Sequence, residues 1–177
     1  MHYKLFVLLI ALLSIQRINC LCRSKFPIYG IQIDVPISVF AGLQVAYQQP
    51  YLHVTTSAIL QGIKASCSEN SVACVGCYLT GQNFVHVAAC GICKAIFTET
   101  VLNTPNLING TYWYETATLS FGLSDTFEIN QYAADYGQFN DEAKISWHID
   151  RGNGGFRCGA NIGLTNDYNW MKVIYIS

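Results

Sequence analysis

Charge is what this sequence has least of. Ten basic and eleven acidic residues among 177 leave a formal net charge of −1, so the basic footprint that nucleic acid requires is missing and such partners are excluded. Long apolar runs are also scarce. The run from Leu5 to Leu13 is well short of the roughly 20 residues that a membrane helix needs, and no later stretch is longer. No segment rich in proline, glycine or serine is long enough for a linker, and no repeat is found, which argues for one domain. Catalytic motifs are lacking too. There is no Gly-x-Ser-x-Gly elbow, and counting from Gly152, Arg157 stands where a dinucleotide loop needs its third glycine. These absences argue against an enzyme.

What is present begins with the leader. His2 and Lys4, the apolar run and a polar end at Cys20 follow the order of a secretory signal over residues 1–20. Residues 21–177 are then expected as a secreted domain, large enough to bury around two thirds of its unfolded surface. Seven cysteines remain after such a cut: Cys22, Cys67, Cys74, Cys77, Cys90, Cys93 and Cys158. An odd count leaves one thiol unpaired, or available to link two copies into a covalent homo-oligomer.

Cys74-Val-Gly-Cys77 and Cys90-Gly-Ile-Cys93 have the spacing of a four-thiolate zinc site. Behind a secretory leader the same thiols oxidise, which favours disulfides. A thioredoxin-like redox role lacks the βαβ surroundings it needs. Position numbers 74 and 93 share their sum with 77 and 90, so one hairpin register sets Cys74 opposite Cys93 and Cys77 opposite Cys90, around a turn at Gly81-Gln-Asn83. Residues three apart on a strand point to opposite faces, so both bridges need a bulge. Cys67 paired with one of the four is the alternative.

Aromatics reach 13%, and short segments alternate apolar with polar residues. Ile31–Pro36, Leu43–Tyr47 and Tyr51–Thr56 read as strands, as do Thr111–Phe121, Thr126–Asn130, Lys144–Ile149 and Asn169–Ile176. Ser57–Lys64 is the one helix candidate. The last strand is apolar on both faces except at Lys172, which predicts a central position. The expected fold is all-β, a disulfide-stabilised antiparallel β-sandwich or barrel-like domain.

Candidate sites follow from composition. Alternation places Trp147 and Ile149 on one face of a strand and His148 and Asp150 on the other, beside a loop carrying Arg151, Asn153 and Arg157. Aromatic, basic and amide groups together suit sugar hydroxyls or a carboxylate; the structural reading makes Trp147 core and the rest a polar sheet surface. Asp135, Asp141 and Glu142 gather around a glycine turn and can hold calcium, the only cofactor the sequence suggests, although the spacing departs from an EF-hand and a solvated turn is the simpler account. Asn109-Gly-Thr111 is the one N-glycosylation sequon. His2, His53 and His86 are isolated and receive no role. The leading expectation is a lectin-like extracellular module recognising a glycan or protein ligand through loops of the C-terminal half. A disulfide-linked matrix protein is the alternative, and an uncharacterised secreted hydrolase comes third, needing a pocket that joins His148, Asp150 and a nucleophile the sequence does not reveal; a Cys158–His148 pair is its weakest form.

Overall fold

A computed structural model of the chain describes residues 25–128 and 141–177. Its strands form two antiparallel sheets. The first holds, in spatial order, β1 (Ile31–Pro36), β4 (Phe84–Ile92), β3 (Val72–Leu79), β11 (Trp170–Ile176) and β2 (Gln44–Pro50). The second runs β10 (Asn161–Ile162), β9 (Arg157–Cys158), β8 (Lys144–His148), β7 (Ser120–Ser124), β6 (Thr111–Glu115) and β5 (Asn106–Ile108). The expected all-β architecture is present, as two sheets rather than a closed barrel. No helix among the described residues is long and apolar enough to cross a membrane.

Alternation explains the packing. In β3, Ala73, Val75 and Cys77 face the second sheet and join a core with Trp113, Phe121, Leu123, Ile145 and Trp147. Val72 and Cys74 face outward, into a smaller cluster closed by Phe40 and Tyr175, whose rings stack at 4.8 Å. A strand buried on both faces reads as a continuous apolar run. The C-terminal β11 lies between β3 and β2, so its central placement holds.

Helix α1 (Ser57–Ser66) starts where Thr56 Oγ1 accepts from the Ile59 amide, and buries Leu60 and Ile63. A short helix, α2 (Cys93–Ile96), follows β4. Three strand expectations fail. Tyr51–Thr56 is a turn with no strand of its own, joined to the second sheet by the Thr55–Ile149 bridge and by the Tyr51 hydroxyl. Thr111–Phe121 breaks into β6 and β7, because the Thr116 hydroxyl accepts from the Leu119 and Ser120 amides and turns the chain without glycine or proline. Of the expected Thr126–Asn130 strand, Thr126–Glu128 is not strand, and residues 129–130 lie outside the described residues.

The cysteine pairing differs from the expected one. The bonds are Cys67–Cys93, Cys74–Cys90 and Cys77–Cys158, which also removes the zinc reading of the four close thiols. The β3–β4 register sets Cys74 opposite Cys90 and Cys77 opposite Val87, slipped from the predicted pairing. The opposite-face rule decides the outcome. Cys74 points outward and meets Cys90, whereas Cys77 points inward and meets Cys158 from the other sheet. Cys93 falls beyond β4, where it reaches Cys67 at the end of α1. The Cys77–Cys158 bond spans 81 residues, a loop for which cross-linking contributes about 4 kcal/mol.

Candidate functional site

The expected ligand face is mostly structural. Trp147 is fully buried, its indole N–H donating to the Tyr51 hydroxyl, which donates in turn to the Arg157 carbonyl. Arg157 is equally buried. Asp150 Oδ2 accepts from the Ser57 amide and so caps α1 from outside the helix. His148 Nδ1 and Asn153 Oδ1 bond to each other. Burial holds the His148 imidazole below its ordinary value, with the Arg151 and Lys172 charges adding to that effect and the Asn153 bond opposing it. Of the six predicted residues, Arg151 and Asp150 are exposed. The alternation itself holds, since Trp147 and Ile149 point inward; what fails is an indole stacking on a ligand.

Lys172 explains why this segment is internal. Its ammonium is inaccessible and gives one bond each to the His53 carbonyl (2.5 Å), Thr55 Oγ1 (2.8 Å) and the Gly154 carbonyl (2.9 Å). The Tyr47, Tyr51 and Trp147 rings surround it at 5.8, 6.0 and 5.9 Å, within reach of a cation–π interaction. Burial pushes the amine down to about 7. Lys172 therefore ties three separate stretches of chain together inside the sandwich.

The other expectations divide. Asp135 lies outside the described residues. Asp141 is committed to Lys144 (2.9 Å) and to the Ala143 amide (3.1 Å), and Glu142 is exposed; among the described residues no three potential ligands converge on a metal position. Cys158 is bridged, so the Cys158–His148 hydrolase loses its nucleophile. Asn109 is half-buried, and its Nδ2 donates to the Ile28 and Cys90 carbonyls, both at 2.9 Å. A glycan on that nitrogen would leave it a single N–H, enough for one of these two bonds. Asn109→Ala is expected to cost about 2–3 kcal/mol, read as a lower midpoint in urea unfolding.

A polar and aromatic junction emerges at His86, to which the sequence assigned nothing. Asp34 falls opposite His86, between the Ile33–Val87 and Val35–Val85 pairs, and takes a left-handed backbone with φ 51°. Its Oδ1 lies 2.8 Å from His86 Nδ1. On the far side of the ring, Asn161 Nδ2 lies 3.3 Å from Nε2 and also donates to the Cys158 carbonyl. Since an amide nitrogen only donates, Nε2 accepts and the ring proton sits on Nδ1, directed at Asp34. The Trp170 ring meets the imidazole edge to face at 5.5 Å. Asp34 is on β1 and Asn161 on β10, outer strands of the two sheets, while His86 is on β4 next to β1, so its ring bridges the sheets. A left-handed aspartate stores about 1–3 kcal/mol and marks a place where function is sought first. Asp34, His86, Asn161 and Trp170 are dispersed along the chain, and no linear motif could have gathered them.

No family model, no curated protein and no solved structure matches this chain.

Proposed function

We propose that this protein is an extracellular recognition domain that binds carbohydrate at the His86 junction. Three disulfides, two of them between sheet strands, are compatible with an oxidising compartment, and the leader adds the route of secretion. The observation that carries the reading is the group Asp34, His86, Asn161 and Trp170. The Asp34 side chain is 57% exposed, against 24% for His86. Asp34 Oδ2 and Asn161 Oδ1 have no hydrogen-bond partner among the described residues, and they flank the same imidazole. Two such acceptors suit sugar hydroxyls, while the half-buried Trp170 ring offers an aromatic surface to the apolar face of a pyranose. The reading thus moves the proposed site from the loops of the C-terminal half to the place where β1 and β4 meet β10.

A glycan panel probed with the secreted domain, with and without calcium, tests this. Asp34→Ala and Asn161→Ala are each expected to weaken binding about 10- to 100-fold, the loss that goes with one charge-assisted or buried hydrogen bond. Arg151→Ala is expected to leave it unchanged. Absence of binding across the panel, or binding indifferent to Asp34→Ala, overturns the assignment. The calcium arm reads any contribution from the acidic turn at Asp141 and Glu142.

The disulfide-linked assembly is the second reading, and one observation sharpens it. Every cysteine among the described residues is bridged, so a linking thiol after removal of the leader is Cys22. Electrophoresis with and without reductant separates a covalent dimer from the monomer.

A further inference from the structure

Helix α1 is held to the sandwich at three points. Asp150 and Thr56 cap its start, the Cys67–Cys93 bond fixes its end, and Gln61 Nε2 donates to Glu115 Oε1 (2.9 Å) from its middle. The third attachment differs in kind. Glu115 closes β6 with only 3% of its surface exposed, and Oε2 is buried without a hydrogen-bond partner among the described residues. Its backbone is occupied by Thr100, whose amide and hydroxyl donate to the Glu115 carbonyl while Thr100 Oγ1 accepts from the Glu115 amide. Directly opposite on β7 stands Phe121, stacked on Phe97 at 5.6 Å. The surroundings on the sheet side are therefore apolar. The charges bearing on the carboxyl are Lys64 from α1 and Glu99 from the stretch between α2 and β5.

We propose that Glu115 is an acid-set clamp on α1: its neutral carboxyl holds the helix against the second sheet, and loss of its proton loosens that contact. A carboxyl with one donor and an unpartnered second oxygen is tolerated neutral and is costly as an anion. Burial pushes Glu115 up to about 7, against the smaller opposing pulls of Gln61 and Lys64, and Glu99 adds to the rise. When α1 lifts away the carboxyl meets water and returns toward its ordinary value of 4.5. The open form then sheds its proton at a lower pH than the closed form, so closure weakens as pH rises from about 4.5 to 7 and is level beyond. A domain of this design is held tightest under mildly acidic conditions and is loosest along α1 at neutral pH and above.

Hydrogen exchange of the α1 amides, expressed as protection factors at pH 5 and pH 8, reads the clamp directly. The native protein is expected to lose protection along 57–66 by on the order of fiftyfold between the two, while Glu115→Gln, isosteric and uncharged, stays level. A carbon-13 titration of the Glu115 carboxyl in the native protein gives an independent reading, with a midpoint about 7 expected. A carboxyl that titrates in the ordinary glutamate range overturns the clamp. So does a protection loss along α1 that is the same in both proteins.

Discussion

Lys172→Met is expected to lower the stability of this domain by about 3 kcal/mol at pH 7. Methionine keeps the length of the stem and the apolar contacts with Tyr47, Tyr51 and Trp147, so packing changes little. What disappears is the donor to three acceptors: the His53 and Gly154 carbonyls and Thr55 Oγ1, which also bonds the Tyr47 hydroxyl at 2.9 Å. Each of the two carbonyls left dry costs about 1 kcal/mol, and the bond lost at Thr55 Oγ1, which keeps Tyr47, costs about 1 more. The loss depends on pH, with a sign that follows from linkage. Burial brings the Lys172 amine to about 7 from its usual 10.5. Between those values the unfolded chain binds a proton that the folded chain does not, so native stability rises with pH across the window, by at most about 5 kcal/mol. Below pH 7 both forms are protonated and this contribution is flat. The methionine variant lacks the group, so the gap between the two proteins widens from pH 7 toward pH 10. Urea unfolding followed by tryptophan fluorescence at pH 7 and 9 measures both the loss and its trend; an equal gap at the two pH values contradicts a buried-amine origin.

Glu115 acts in the opposite direction over the lower range, since its raised carboxyl draws stability down as pH climbs toward about 7. His148, held below its ordinary value, favours the native state as pH rises through the range just under 6.5. The three groups share a cause, burial within a sandwich whose surface carries few charges. They do not share a sign: below about pH 7 the His148 rise offsets part of the Glu115 fall, whereas the Lys172 rise lies above that range and is not offset by either.

Local pattern made much of the architecture legible. The bounds of β1 follow Ile31–Pro36, α1 follows the weak helical stretch at Ser57, and β11 announces its central place by being apolar on both sides. The exception in that last strand, Lys172, was the one signal of the buried cation, and it reads as a flaw in a pattern rather than as a site. Pairing partners were not legible. Cys74 and Cys77 are three residues apart, which sends them to different cores, but nothing near them identifies Cys158 as the thiol waiting on the other sheet. The Thr116 turn uses a side-chain hydroxyl where glycine or proline would have been visible. Trp147 to Arg157 resembles a recognition loop because aromatic, basic and amide groups serve equally well to satisfy a buried cation's surroundings and to hold a sugar. Composition does not separate those uses; burial does.

That segment also contains the position least able to change. Gly154→Ala is expected to cost about 4 kcal/mol or more, the exceptional range for one substitution. The backbone of Gly154 is not left-handed, so the constraint is space. A Cβ there stands 1.9 Å from the His53 carbonyl oxygen and 2.2 Å from that of Tyr51. Both obstacles are main chain, which no rotamer change can clear. The loop must move as a unit, and the Gly154 carbonyl leaves Lys172 when it does. The adjoining chain from the Trp147 indole through the Tyr51 hydroxyl to the Arg157 carbonyl is strained by the same shift. A Cβ at Gly152, two residues earlier, meets nothing within 4 Å, so Gly152→Ala is expected to fall within about 0.5 kcal/mol of the parent. Combining Gly154→Ala with Lys172→Met separates the physical accounts. If the glycine matters because it delivers its carbonyl to the ammonium, the double variant loses less than the sum of the single losses, by about 1 kcal/mol. Full additivity in urea unfolding means that the steric clash acts alone, and that Gly154 and Lys172 are not parts of one lock.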